Sequence, residues 1–146
     1  MTTYDTRKLR CHCCGKASKQ SVLMSSNSFG SRDLDQRPPE MMRSTMPSWL
    51  QECPFCGYVA PDLEKGNATM QAFVGTPAFQ ALCADPSPDP VTRRFLVRAA
   101  LDAHGGDMES AFTETLSAAW VADDSGRSSD AAALRLRAAT HVAGKT

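Results

Sequence analysis

The chain has 146 residues, and its 16 lysines and arginines balance its 16 aspartates and glutamates, so the formal net charge is zero. A chain of this length forms one small domain or two very small ones. No apolar run approaches the roughly 18 residues of a membrane span, and the segment Met1–Lys8 lacks the apolar core of a secretory signal. We therefore expect a cytoplasmic protein with no membrane partner.

The first motif in the chain is a pair of cysteines, Cys11 and Cys14, with two residues between them. This spacing lets a tight turn point both sulfurs at one metal ion. His12 and Cys13 lie inside the same motif and are alternative ligands. Because Cys14 precedes a glycine, as Cys56 does later in the chain, symmetry favours Cys11 and Cys14 as the ligands. Cys13 would then be an exposed, reactive thiol.

The segment between the two cysteine motifs contains strand candidates and a charged insert. The best strand candidates are Ser21–Ser25 and Trp49–Glu52, which lead from or into a cysteine motif. Between them lie a turn-rich stretch and the charged run Arg32–Arg43, which is broken by two prolines. These features predict short strands joined by a long loop.

Two aspartates of this insert, Asp33 and Asp35, have alternative roles. They could act as general acid and base or as ligands for a hard cation. A separate enzymatic hypothesis makes Cys13 a nucleophile. Aspartates near arginines more often order a loop by capping backbone N–H groups and forming ion pairs. We therefore expect both carboxylates to be structural and to hold the insert against the metal-binding region.

The second cysteine pair is Cys53 and Cys56, followed by Gly57. Pro54 fixes the entry to its turn, and Gly57 supplies a positive φ. The two pairs are separated by 38 residues, more than the roughly 15–20 of compact zinc fingers. Together they predict a zinc ribbon at about residues 9–62, with one structural Zn²⁺ held by Cys11, Cys14, Cys53 and Cys56. Disulfides or a redox dithiol are the alternatives, and a reducing cytosol disfavours them.

A connector at about residues 63–90 follows the ribbon. Thr76 followed by Pro77 is typical of a helix start, and it predicts a short helix that extends through Leu82. The proline-rich run Asp85–Pro90 then predicts a stiff linker.

The last segment, about residues 91–143, is predicted to be helical. Asp89 with Pro90 starts a first helix that ends at Gly105-Gly106, and Asp107 caps a second one. Asp130–Val142 is a third helical stretch. The short glycine connection favours an antiparallel hairpin. The second helix carries an apolar stripe at helical spacing, and we expect Trp120 on it to be buried near Phe95 and Ala99.

Charge is distributed unevenly along the chain. Residues 1–60 carry 8 basic and 5 acidic side chains, and residues 61–146 carry 8 basic and 11 acidic ones. The net charge of +3 on residues 1–60 is only weak support for binding to nucleic acid. The candidate contacts are Arg7, Lys8, Arg10, Lys16 and Lys19.

The two cysteine motifs, the Ser31–Asp35 run and the Arg94–Trp120 stretch together resemble a bacterial family of uncharacterised proteins. The likeness covers roughly residues 9–141. It implies an N-terminal Cys₄ zinc ribbon followed by tetratricopeptide-like helices, with metal ligands at Cys11, Cys14, Cys53 and Cys56. His12-Cys13 departs from the family pattern, which more usually has a proline and an ordinary residue there.

The sequence therefore favours an α+β protein with a small zinc ribbon followed by an α-helical hairpin and a third helix. A closed set of four thiolates leaves no coordination position for catalysis. Our leading hypothesis is a non-enzymatic zinc-binding adaptor whose helical segment binds a protein partner. The alternatives are a nucleic-acid-binding zinc ribbon and, third, an enzyme that uses Asp33 and Asp35 or Cys13.

Overall fold

The computed structural model describes residues 2–85 and 89–143. It confirms the α+β class, with two small antiparallel sheets followed by helices. The strands are β1 (Thr3–Arg10), β2 (Ala17–Ser25), β3 (Gln51–Glu52) and β4 (Val59–Ala60), a 3₁₀ helix covers Met42–Ser48, and the α-helices are α1 (Ala68–Val74), α2 (Pro77–Cys83), α3 (Pro90–His104), α4 (Met108–Asp124) and α5 (Ser128–Val142).

The longest strands form an N-terminal hairpin of which the sequence predicts only part. The expected strand Ser21–Ser25 lies within β2, which pairs with β1 from Arg10 opposite Ala17 to Thr3 opposite Ser25. Almost every residue of β1 is exposed. Because β1 therefore carries no alternation of apolar and polar side chains, period-two analysis does not detect it.

The strand expected at Trp49–Glu52 is wrong in its first half. Trp49 ends the 3₁₀ helix, and β3 begins only at Gln51. The indole N–H of Trp49 donates to Thr45 Oγ1 at 2.7 Å, one turn earlier in that helix. Tryptophan is common in strands, but here a local side-chain hydrogen bond holds Trp49 in a helical turn.

The connector contains two helices instead of one. The predicted helix is α2, where Thr76 accepts a hydrogen bond from the N–H of Phe79. The helix that sequence analysis missed is α1, capped by Asn67 through the N–H of Met70. In the expected linker Asp85–Pro90, residues 86–88 lie outside the described residues.

The C-terminal helices begin and end close to their predicted positions. Asp89 accepts a hydrogen bond from Thr92 N–H at the start of α3, and Asp107 accepts one from Ser110 N–H at the start of α4. α4 packs against both α3 and α5. Three helices packed in this way do not by themselves define a repeat, and the tetratricopeptide-like arrangement stays a prediction.

The hydrophobic core is continuous between the metal-binding region and the helices. Its buried members come from the cysteine motifs, the connector and α3–α4, and they include Cys11, Cys53, Tyr58, Leu63, Phe79, Phe95, Leu101 and Trp120. The three-part division of the chain stays a prediction, but each predicted part contributes side chains to this core.

Trp120 is buried, as expected, but a second indole lies beside it. Trp120 is 5% exposed, and the ring of Trp49 stands edge-on to it at a centroid distance of 6.5 Å. Trp49 also makes an edge-on contact with Phe95 at 6.2 Å. Edge-to-face aromatic pairs at such distances stabilise a core beyond simple area burial. Trp49, at the end of the 3₁₀ helix, thus connects Phe95 of α3 to Trp120 of α4.

Arg37 attaches the insert to the end of α4. Its side chain is nearly inaccessible to solvent, and its two terminal nitrogens lie 2.9 and 2.6 Å from the carboxylate oxygens of Asp124. The guanidinium also donates to the carbonyl of Trp120 at 3.4 Å. A cation is favourable at this position because the carboxyl end of a helix carries partial negative charge. Sequence analysis did not detect this residue.

The two aspartates of the insert do accept hydrogen bonds from arginines, but the expected docking surface is wrong. Asp33 pairs with Arg43 inside the insert at 2.6 Å. Asp35 accepts from the indole N–H of Trp120 at 2.8 Å and from Arg135 at 3.0 Å. Asp35 therefore holds the insert against α4 and α5, and not against the metal-binding region. These charged contacts lower the pKa of Asp35 despite the opposing effect of burial.

The Arg37–Asp124 pair predicts an asymmetric response to mutation, because Arg37 is 4% exposed and Asp124 is 56% exposed. Asp124→Asn leaves a buried cation without its counter-charge and should cost about 1–3 kcal/mol of unfolding free energy. Arg37→Met keeps an apolar stem and leaves Asp124 solvated, so it should cost less. Urea unfolding of both variants measures the difference. A larger loss for Arg37→Met would contradict this account of the pair.

Candidate metal centre

Each cysteine motif forms the turn of a β-hairpin. The first turn joins β1 to β2 and is closed by Cys11 N–H donating to Lys16 O at 2.9 Å. The second joins β3 to β4 and is closed by Cys53 N–H donating to Tyr58 O at 2.9 Å. The two motifs therefore have the same backbone frame, although their strands differ in length.

The glycine after each pair gives the turn its shape. Gly15 has a φ of 75° and Gly57 a φ of 85°, a conformation that costs side-chain-bearing residues free energy. Their N–H groups donate to the carbonyls of Cys11 and Cys53 at 2.9 and 3.0 Å. This left-handed step closes each turn with a hydrogen bond back to the first cysteine of the pair.

The four predicted cysteines meet at one point. All four Sγ atoms lie within 4.8 Å of one another. The Sγ atoms of Cys11 and Cys56 are 3.6 Å apart, as are those of Cys14 and Cys53. A tetrahedral zinc centre with Zn–S bonds near 2.3 Å places its sulfurs about 3.8 Å apart. The donor set and its spacing thus fit a metal ion bound by four thiolates.

Cys13 lies outside this sulfur cluster. It is half-buried, and burial raises the pKa of its thiol to about 12, with a further contribution from the negative charge of Cys11. Cys13 is therefore not exposed as expected, and its reactivity as a thiol stays a prediction.

Buried polar contacts connect the second hairpin to α3. The hydroxyl of Tyr58 donates to Lys65 O at 2.7 Å. Arg98 on α3 donates to the carbonyl of Val59 at 3.1 Å and pairs with Asp102 at 3.1 Å. Sequence analysis missed this contact because Arg98 lies 39 residues from its hydrogen-bond acceptor Val59.

The first hairpin is attached to the connector through its turn. His12 N–H donates to Leu63 O at 2.9 Å, and the amide of Gln71 on α1 donates to Cys13 O at 3.2 Å. His12 therefore takes part in the site through its backbone. The cation of Lys16 lies 5.2 Å from the ring centroid of Phe55, which links the two turns across the sulfur cluster.

The other candidate residues do not join the sulfur cluster. Within residues 2–85 and 89–143, the four cysteines are the one set of three or more metal-binding side chains that converge. The carboxylates of Asp33 and Asp35 are instead engaged by Arg43 and Arg135. The basic candidates of the first hairpin lie on or beside the exposed strand β1 and the partly buried strand β2.

Comparison of the chain with protein-family models, with curated proteins and with solved structures finds no match. The resemblance to a bacterial zinc-ribbon family therefore stays a prediction. None of the described helices is long and apolar enough to cross a membrane.

Gly57 should be more sensitive to substitution than Gly15. A Cβ at Gly57 would lie 2.8 Å from Sγ of Cys83, whereas one at Gly15 meets no atom within 4 Å. Gly15→Ala should cost about 1–2 kcal/mol for the left-handed backbone alone, and Gly57→Ala should cost more. The measurement is urea unfolding of the metal-loaded protein.

The double variant Gly57→Ala with Cys83→Ala separates the cost of the left-handed backbone from the cost of the steric overlap with the Cys83 sulfur. In the Cys83→Ala background, Gly57→Ala should lower the free energy of unfolding by only as much as Gly15→Ala does in the wild type. If the loss at Gly57 is the same with and without the Cys83 sulfur, overlap is not its cause.

Removal of a predicted ligand should release the metal. Cys53→Ser should reduce zinc content, measured by inductively coupled plasma spectrometry, from one equivalent to near zero, because a serine hydroxyl replaces a thiolate poorly. Cys13→Ser is the matched control and should keep the full equivalent. Loss of zinc from Cys13→Ser with retention in Cys14→Ser would overturn the ligand assignment.

Proposed function

We propose that this chain is a non-enzymatic adaptor whose fold is held by one structural Zn²⁺ at Cys11, Cys14, Cys53 and Cys56. The observation that carries the proposal is the convergence of four sulfurs within 4.8 Å. Four thiolates fill a tetrahedral coordination shell, so the ion would hold the two hairpins together and leave no position for a substrate. Free thiols of this kind persist in a reducing compartment such as the cytoplasm.

The adaptor role is supported by exposed leucines beside the contact between the insert and the helices. Leu34 is fully exposed and Leu136 is 74% exposed. Leu34 precedes Asp35 and Leu136 follows Arg135, and these two charged residues form the ion pair that joins the insert to α5. Exposed apolar side chains next to an ordered contact favour a protein-binding surface.

A nucleic-acid partner is the second candidate, and one feature of the first hairpin favours it. Lys8 lies directly opposite Lys19 across β1 and β2. Like charges in this position destabilise a strand pair. An anionic partner bound to this face would remove that cost, and the phosphate backbone supplies such charge.

A single capture experiment distinguishes these roles. We expect the tagged, zinc-loaded chain, crosslinked in its host, to retain one protein partner, which the variant Leu34→Ser with Leu136→Ser should lose. Phe29→Ser is the matched control, because Phe29 is also exposed, at 69%, and neither it nor its chain neighbours belong to the ion pair. Failure of the wild type to retain any protein would contradict the adaptor role. Loss of the captured material on nuclease treatment would identify nucleic acid as the partner.

A further inference from the structure

A cleft of about 930 Å³ lies between the insert and helices α3 and α4. Small-molecule sites usually occupy about 300–1,000 Å³ and have mainly apolar walls with a few polar groups. The walls of this cleft follow that pattern, and their large apolar side chains include Trp49, Phe95, Phe112, Leu116 and Trp120. Neither the metal centre nor the exposed leucines account for this cavity.

The charged groups that line the cleft differ in their partners. Arg32 donates to a backbone carbonyl of the insert at 2.7 Å. Arg135 is held between Asp35 and Asp123 at 3.0 and 2.7 Å. Among the described residues, Glu114 is the one charged lining residue without a hydrogen bond or ion pair. The lining of the cleft therefore includes a carboxylate that no hydrogen bond or ion pair of the described residues holds.

The surroundings of Glu114 make its negative charge unfavourable. The side chain is half-buried, and burial raises its pKa to about 7, with a further contribution from the charge of Asp102. Arg98 opposes this effect, but its guanidinium is already paired with Asp102 at 3.1 Å. A cation placed next to Glu114 would offset the cost of keeping this carboxylate ionised.

We propose that the cleft binds a small organic amine whose ammonium group pairs with Glu114 and whose apolar body lies against the aromatic walls. The carboxylate supplies the charge complementarity, and the rings of Trp49, Phe95 and Trp120 supply apolar contact and a favourable environment for a cation. The two arginines of the lining are already engaged by oxygen acceptors, so an anionic ligand would compete with existing contacts.

The chain carries its own reporter for this site. It contains 2 tryptophans, and both of them line the cleft. The probes are phenethylamine, its neutral analogue phenethyl alcohol and the anionic hydrocinnamate, titrated into the metal-loaded protein with excitation at the red edge of the indole absorption. We expect a saturable fluorescence change with phenethylamine and at least tenfold weaker binding of the other two, because a charge-assisted hydrogen bond distinguishes them.

Two variants of α4 test the role of the carboxylate. Glu114→Gln keeps the shape of the side chain and should remove the preference for the amine over the alcohol. Glu109→Gln, an exposed position on the same helix, is the matched control and should retain that preference. Circular dichroism and zinc content verify that both variants are folded.

Four results would overturn the proposal. Equal binding of the amine and the alcohol by the wild type would show an apolar cleft without charge selectivity. Tighter binding of hydrocinnamate would assign the cleft to an anion. A saturable signal from none of the probes, or an amine preference unchanged in Glu114→Gln, would also contradict it.

Discussion

The packing of this protein depends on four cysteine sulfurs that come from two cysteine pairs 38 residues apart in the sequence. Sulfurs separated by 3.6 Å repel each other strongly once they are thiolates, so the cluster needs either protons or a cation. A divalent ion would satisfy all four at once and would link folding to metal binding. Because Cys11 and Cys53 are also buried members of the hydrophobic core, the same interaction fixes how the hairpins meet the connector and α3.

The second organising contact is that between the insert and the helices. The insert has few buried apolar side chains of its own, and its position is set by polar groups that reach the last turns of α4 and the middle of α5. Arg37 pairs with Asp124, and Asp35 bridges Trp120 and Arg135. Such long-range polar contacts give specificity of position more than stability. They close one side of the aromatic cleft and bring Trp49 against the helices.

The sequence predictions succeed where the interactions are local and fail where they join distant parts of the chain. The cysteine turns and the caps at Thr76, Asp89 and Asp107 are local, because each is defined by residues within a few positions of each other. The strand β1 and the roles of Arg37 and Arg98 depend on partners far away in the chain, and no local pattern predicts them. Asp35 was correctly expected to be structural, but the surface it contacts required the three-dimensional arrangement.

The metal centre and the cleft are connected through the chain itself. Leu50 and Pro61 line the cleft, and they flank the short strands β3 and β4, whose turn carries Cys53 and Cys56. The strand pair spans only two residues on each side, too few for an isolated hairpin to be stable in water. Its position is therefore set by contacts outside the pair, which include the sulfur cluster, the burial of Tyr58 and Val59 in the core and the hydrogen bond from Arg98. A structural ion at the cysteines would in this way define one wall of a cavity with which it has no direct contact.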